Sequence, residues 1–563
     1  MSTSQTQTAA SGAGDVFEIV EVGIGGARMP VFKHTPASLR DLWELSAGHG
    51  DAAYLVYDDE RLSYKEAHAQ VASLASWLRD ECRVRKGDRV AIGMRNFPEW
   101  AISFWATAAL GAVAVPLNAW WSGPELDYAL RDSASVVLIA DGERLERLGP
   151  YQRDLDLRSV VAVRSTAPPG GAVPFDELVA ADVGGLPAAD IQPDDTALIM
   201  YTSGTTGRPK GAVATHRNIC AQVMNIMWMA AAAADPTAAP ATSAPCTLLT
   251  FPLFHVGGLH SFLIPYTAIG GKVVLLYKWD APSALRLVAA EGVTAIAGVP
   301  TTMFQLLDEA KRQGVTLDSL AGVASGATLV PAQLVRRIDA ELGSKAAPSN
   351  AYGLTETAGA AVINVGASCV SHPDSVGRPI SPVMAVSIRD PGGAEVTTGE
   401  VGEIWLRGPT VFSGYWRNPE ATSEALVEGW FRTGDLGRVD PDGFLYVVDR
   451  IKDVVIRGGE NVYAAEVEAA LYEHPAVAEV AVVGVPDDVL GEVVAAVVRL
   501  RDGAAASDAE LRDHVRARLA AFKVPAIVEL SDGELPRNAA GKVLKGQLRR
   551  GLADRHGGHP GDA

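Results

Sequence analysis

The sequence predicts an α/β protein in two parts: a large, multi-subdomain N-terminal domain with largely parallel sheets, then a small α+β domain. Three observations lead there. Short β-rich runs alternate with helical stretches as far as Asp449, the pattern of parallel strands joined by crossover helices. Beyond Asp449, Arg450 and Lys452 the rhythm changes, with long strands and helices in a compact α+β order. The chain has 563 residues, 48% hydrophobic and 21% charged, enough for one large core and a smaller one.

Taken in order, Met1–Asp15 is rich in Ser, Thr, Gln, Ala and Gly and reads as a disordered tail. It lacks the basic start and apolar run of a signal peptide. Ser63 to Glu66 forms a capping box, and Val71, Leu74, Ala75 and Leu78 follow at helical spacing. Strands are expected at Val90–Ile92, Val136–Ala140, Ala197–Tyr201, Val273–Tyr277 and Val293–Gly298. Trp100 to Trp121 carries no charge and has the length of a membrane span. Gly111 and Pro116 punctuate it, however, so it reads as a buried helix followed by a buried strand. Ala230–Pro245 is Ala-, Pro- and Thr-rich and reads as a surface loop. In the last part, a helix over Ala465–His474 precedes strands at Val480–Val485 and Val493–Leu500 and a helix over Asp508–Phe522. These elements divide the chain into residues 16–449 and 450–550, followed by a polar, disordered tail over 551–563.

The formal net charge of −18 excludes a broad nucleic-acid grip. Cys82, Cys220, Cys246 and Cys369 are scattered and form no CxxC pair, as expected in a reducing, cytoplasmic setting. The oligomeric state is left open.

One loop carries phosphate chemistry. Tyr201-Thr202-Ser203-Gly204-Thr205-Thr206-Gly207-Arg208-Pro209-Lys210-Gly211 directly follows an apolar strand. Backbone N–H groups, hydroxyls and one cation are what polyphosphate oxygens require. It is not a Walker A loop, since Gly211 follows Lys210. Gly23-Ile-Gly-Gly lacks the third spaced glycine and the helix of a dinucleotide site.

Further along stand Tyr352-Gly353-Leu354-Thr355-Glu356, Phe431-Arg-Thr433-Gly434-Asp435, Asp449-Arg450-Ile-Lys-Asp, Gly458-Gly459-Glu460-Asn461 and Gly541-Lys542. From about Leu39 to Arg549 the series resembles the adenylate-forming superfamily of acyl-CoA synthetases, adenylation domains and luciferases. The resemblance implies an ATP-dependent acyl-CoA synthetase using Mg²⁺ and coenzyme A, whose small C-terminal domain is a mobile lid. Such an enzyme joins a carboxylate to the α-phosphate, releasing pyrophosphate, then transfers the acyl group to the CoA thiol.

By the same resemblance, Thr202 to Gly207 and Lys210 cradle phosphates, Glu356 with Thr206 holds Mg²⁺, and Thr355 contacts the α-phosphate. Ser325, Gly326, Ala327 and Thr328, with Tyr352 and Gly353, form the adenine slot, while Asp435 and Arg450 hold the ribose. Lys542, after Leu535-Pro-Arg537-Asn538, reaches the cleft during adenylation; with Glu356, Thr355 and Lys210 it makes the catalytic set. Asp449 is the hinge, and Gly458, Gly459 and Glu460 form the CoA loop, where Ala464 replaces the family's usual Pro. Phe254, His255, Val256 and Gly257 match the acyl wall, with Thr301. Met224 and Trp228 suit either an acyl tunnel or the core. No Asp between Phe251 and His260 holds an α-ammonium, which favours an apolar acid. Gly359–Gly402 carries no insertion of the kind seen in acyl-AMP ligases serving carrier proteins, the alternative reading.

Overall fold

Two mostly parallel sheets organise the N-terminal domain. The computed structural model describes residues 16–151, 155–166, 170–180, 183–202, 209–233, 244–326, 328, 330–538 and 542–556. The first sheet has eight strands in the order Gly414–Tyr415, Lys210–Thr215, Thr196–Thr202, Val113–Pro116, Arg89–Gly93, Val137–Asp141, Ser159–Val163 and Val173–Pro174. The second has nine: Arg378–Pro379, Gly359–Val365, Ala347–Leu354, Gly322–Ser325, Ala295–Gly298, Cys246–Leu249, Lys272–Leu275, Ala53–Tyr57 and Glu60–Ser63. Antiparallel strands occupy both edges of the second sheet and one edge of the first, whose other edge strand, Val173–Pro174, runs parallel, as do central neighbours such as Cys246–Leu249 and Ala295–Gly298. Parallel strands covered on both faces read as continuous apolar runs, which is why each predicted strand coincides with an observed one to within a few residues.

The helix Tyr64–Asp80 begins with the expected capping box at Ser63 and Glu66. In the charge-free stretch, the helix Pro98–Ala109 is buried throughout from Trp100 to Ala109, and the strand Val113–Pro116 is buried throughout as well. Trp43, Trp100, Phe104 and Trp105 belong to the core it enters. Among the described residues no helix is long and apolar enough to cross a membrane.

A third, antiparallel sheet contains Ala385–Arg389, Gly402–Arg407, Trp430–Val439, Leu426–Val427 and Leu445–Arg450. The chain leaves it at Arg450 and enters the five-stranded C-terminal sheet through Val455–Arg457. The core there joins Val467 and Leu471 of the helix Ala464–Tyr472 to Val480, Val482, Val494 and Val498.

Three expectations need correction. The helix predicted over Asp508–Phe522 ends at Arg516. The chain then turns Leu519 and Phe522 onto the C-terminal core and resumes as a 3-10 turn over Ala521–Lys523. The tail expected from Gly551 is instead part of a helix, Lys545–His556, anchored by fully buried Leu552 against Val483 and Leu535. The Ala230–Pro245 loop begins as the last turn of the helix His216–Ala233, and 234–243 lie outside the described residues.

Candidate active site

The phosphate-loop motif starts and ends in strands. Thr202 closes one strand, Lys210 opens the next, and the two pair across an antiparallel hairpin. Ser203, Gly204, Thr205, Thr206 and Gly207 lie outside the described residues. The Lys210 ammonium stands 5.3 Å from the centroid of the Tyr415 ring. The Tyr415 hydroxyl donates to Glu356 Oε1 at 2.9 Å. One ring thus links the cation at the loop's exit to the carboxylate of the second motif. Tyr415 arrives there because Gly414–Tyr415 extends the same sheet, opposite Ala212 and Val213.

Thr355 and Glu356 form a 3-10 turn between two antiparallel strands. Thr357 fixes it, accepting from Leu354 N at 2.9 Å and donating to the Gly359 carbonyl at 2.8 Å. A Cβ at Gly353 would overlap that same carbonyl, so only glycine fits. Glu356 is 8% exposed. Burial raises its pKa, and the Tyr415 hydroxyl acts in the opposite direction.

Asp435 and Arg450 oppose each other on neighbouring strands. Arg450 Nε lies 3.0 Å from Asp435 Oδ1, and the Tyr352 hydroxyl donates to Oδ2 at 2.8 Å. The Thr433 hydroxyl accepts from Asp435 N at 3.1 Å and donates to the Ile404 carbonyl at 2.7 Å. Burial, then the Asp435 charge, pushes the Tyr352 phenol well above its ordinary pKa, so it remains a donor. Ser325 ends a parallel strand, and its hydroxyl donates to the Gly298 carbonyl at 3.1 Å. A Cβ on Gly326 would lie 3.2 Å from the Ala351 carbonyl, which places this turn against Tyr352's strand. Thr328 is exposed, and Ala327 lies outside the described residues. Such crevices at the carboxyl ends of parallel strands are where open α/β sheets bind ligands.

Lys542 comes from the other domain. Asn538 N donates to the Lys542 carbonyl at 2.8 Å, and Lys542 N donates to Asn538 Oδ1 at 2.9 Å, closing its loop. The charges of Arg450, Asp435, Asp453 and Lys452 act on its ammonium. Burial lowers its pKa to about 8; Arg450 adds to the lowering, and Asp435 and Asp453 oppose it. At the crossing, Asp449 is 5% exposed and accepts from Arg450 N at 2.7 Å and Ala465 N at 3.3 Å. Burial raises its pKa.

Gly458 and Gly459 are the two central residues of a hairpin turn, with φ of 58° and 87°. Such two-residue turns require left-handed backbone. Gly458, Gly459 and Glu460 are exposed. Ala464 is the first residue of the following helix, a position any helix former accepts in place of Pro.

Phe254 is buried, with its ring 4.8 Å from that of His255. Asn96 holds their loop, donating to the Phe251 carbonyl at 3.0 Å and accepting from Leu253 N at 2.8 Å. Burial lowers the His255 pKa to about 4. Val256 and Gly257 begin the helical turn that follows, and a Cβ on Gly257 would lie 3.3 Å from the Phe251 ring. Thr301 lies in the first turn of the helix Pro300–Gln313. Met224 packs with Phe32 and Val383, and Trp228 lies against that cluster. Gln222, on the opposite side of their helix, donates to the Ala360 carbonyl at 3.1 Å.

Tyr415 and Asn96 escape sequence reasoning, and Thr433 enters it only as a member of the Phe431–Asp435 motif. Gly414-Tyr415-Trp416 near the edge of a motif-bearing sheet is the only trace of the first. Among the described residues no cluster of three His, Cys, Asp or Glu is placed to hold a metal. A single buried carboxylate such as Glu356 fits Mg²⁺, which takes most of its other ligands from phosphates and water.

Comparison with known proteins agrees with this geometry. The AMP-binding enzyme family matches residues 42–416, and the AMP-binding enzyme C-terminal domain matches residues 466–542. A feruloyl-CoA synthase from an Amycolatopsis species is 40% identical over 489 residues, covering 87% of this chain and 94% of that protein. A long-chain-fatty-acid–CoA ligase from Bacillus subtilis is 32% identical over 555 residues, covering 92% of this chain and 94% of that protein. The solved structure of the anthranilate CoA ligase AuaEII in complex with anthranoyl-AMP superposes with a TM-score of 0.84 at 26% identity, over 93% of this chain and 98% of that one.

The chain belongs to the AMP-binding, adenylate-forming enzymes. Within them it is an acid–thiol ligase, which forms an acyl-AMP from ATP and a carboxylic acid and transfers the acyl group to coenzyme A.

Proposed function

We propose that this ligase activates an apolar carboxylic acid without an α-amino group, that Mg²⁺ assists, and that Lys542 is the cation of the adenylation step. The observation that carries the reading is that Lys542, from residues 450–550, is half-buried within electrostatic reach of the Asp435–Arg450 pair beside Tyr352. A carboxylate and a triphosphate repel each other, so a cation between them stabilises the transition state. Lys210 and the 203–207 loop hold the β and γ phosphates, and Thr355 contacts the α-phosphate. The Ser325–Thr328 turn beside Tyr352 takes the adenine. Asp435, fixed at both carboxylate oxygens, orients the ribose. When bound at Glu356, Mg²⁺ supplies a hard positive charge to the phosphate oxygens.

Asp449 is the hinge for the second half-reaction, and the exposed Gly458–Glu460 hairpin is the CoA-facing surface of a moving lid. Phe254 and His255 wall the acid. An α-ammonium there would be buried without a carboxylate partner, costing at least ~1–3 kcal/mol. The four cysteines are buried and unpaired, which supports a cytoplasmic setting. CoA-dependent AMP release tests the reading across apolar acids and their α-amino analogues. The apolar acids should be turned over well ahead of the analogues; equal rates would refute the pocket assignment.

A further inference from the structure

Behind the Thr355–Glu356 turn, three buried side chains end in polar atoms that nothing answers. Gln222 and Asn225 are 0% exposed and His260 is 1% exposed. Gln222 spends its Nε2 on the Ala360 carbonyl. His260 Nδ1 lies 3.1 Å from the Ala358 carbonyl, and facing a carbonyl it must be the donor. Asn225 Oδ1 accepts from the Ser381 hydroxyl at 2.7 Å. Gln222 Oε1, His260 Nε2 and Asn225 Nδ2 are left without a partner among the described residues.

These atoms share one neighbourhood. Gln222 and Asn225 are three apart on the helix His216–Ala233 and so face the same way. Gln222 and His260 grip carbonyls on either side of Gly359, where a Cβ would lie 3.3 Å from Gln222 Nε2. His260 sits in a π-helical turn, Leu259–Leu263, directly after the Phe254–His255 wall, and π turns occur often at functional sites. The group therefore lies between the acyl wall and the segment that carries Glu356.

The chemistry is specific. A neutral imidazole donating from Nδ1 is an acceptor at Nε2, and burial holds the His260 ring neutral, with its pKa lowered to about 4. The site offers two acceptors and one donor. A hydroxyl held here gives its one O–H to one of the two acceptors and takes the Asn225 Nδ2–H on a lone pair. Buried polar atoms left unpaired cost folding free energy, and a bound hydroxyl recovers that cost for two of the three.

We infer that Gln222, Asn225 and His260 form a hydroxyl-binding subsite of the acyl pocket, and that the preferred substrates are acids whose apolar body carries one neutral hydroxyl. The inference rests on the reading of residues 251–260 as the acyl wall. Its test compares aryl and alkyl acids with their singly hydroxylated isomers, measuring kcat/KM for pyrophosphate release by the full chain. One hydroxylated isomer should exceed its parent at least tenfold, because a site built to bond a hydroxyl rejects the analogue lacking it. Gln222→Leu or His260→Phe, whichever removes the acceptor that takes the O–H, should abolish that preference. If the parents are turned over but no isomer exceeds them, the subsite is refuted while the enzyme's function stands; a buried water then answers these atoms. A preference that survives both substitutions also refutes it. If no acid is turned over, both readings fail. The wild-type comparison is decisive even where a variant does not fold.

Discussion

Tyr415 joins two charges through one side chain, its ring under Lys210 and its hydroxyl on Glu356. Tyr415→Phe keeps the ring and deletes the donor. With that bond gone, the buried Glu356 carboxylate should hold its proton more tightly and Mg²⁺ less tightly. Hydrogen bonds to charged groups contribute about 1.5–3 kcal/mol, so the Mg²⁺ concentration for half-maximal pyrophosphate release should rise roughly tenfold or more. An unchanged Mg²⁺ dependence would remove Tyr415 from this role. Lys542 makes a second prediction. In the proposed role its active form is the protonated one, which prevails below a pKa of about 8. Adenylation kcat/KM should therefore be level below pH 8 and fall about tenfold per pH unit above it. Bound phosphates favour the ammonium, so the limb in kcat should lie at higher pH; coincident limbs in both profiles would contradict this. Glu356, Asp435 and Lys542 could be singled out in the sequence because each sits inside a motif. Tyr415 could not, since its partner Glu356 is 59 residues away and no pattern joins them.

At the scale of the element, the Gly458–Gly459 hairpin serves two requirements that separate experimentally. Its left-handed backbone penalises any side chain, by about 1–2 kcal/mol per residue, whereas a Cβ on Gly459 would meet nothing within 4 Å. Gly459→Ala and Gly459→Leu should therefore lower the melting temperature alike. If the hairpin also lines the path of the thiol, Leu should slow thioester formation at least tenfold beyond Ala, since misplacing reacting groups by about 1 Å costs about a hundredfold. Equal thioester rates in the two variants would leave the turn as the glycine's whole role. The elements themselves were largely readable. Buried parallel strands announce themselves as β-branched runs, and Ser63–Glu66 marks a helix start. The end of the helix Asp508–Arg516 was not readable. Ala517-Arg-Leu-Ala continues the helical propensity, and it is the packing of Leu519 and Phe522 on the lid core that ends it.

At the scale of the molecule, neither domain holds the proposed site alone. Of the proposed set, Lys210, Glu356, Tyr352 and Asp435 belong to the N-terminal domain and Lys542 to the C-terminal one. The Gly458–Glu460 hairpin of the same C-terminal domain is exposed. Asp449, at the crossing, binds the first turn of the lid helix through Ala465 N, an interaction that a rotation of the lid would break. The order of motifs made the two-domain plan legible, but the electrostatic pairing of residues as distant as Lys542 and Asp435 is encoded in no local pattern. The central claim is that Lys542 serves one half-reaction and the lid presents other residues for the other. The measurement that tests it most directly assays the two halves separately in Lys542→Ala. Acyl-AMP formation, followed by pyrophosphate release, should fall about a hundredfold or more, while conversion of supplied acyl-AMP and CoA to thioester should stay within a few-fold of the parent. Equal loss of both half-reactions, or an undiminished adenylation rate, would contradict the account.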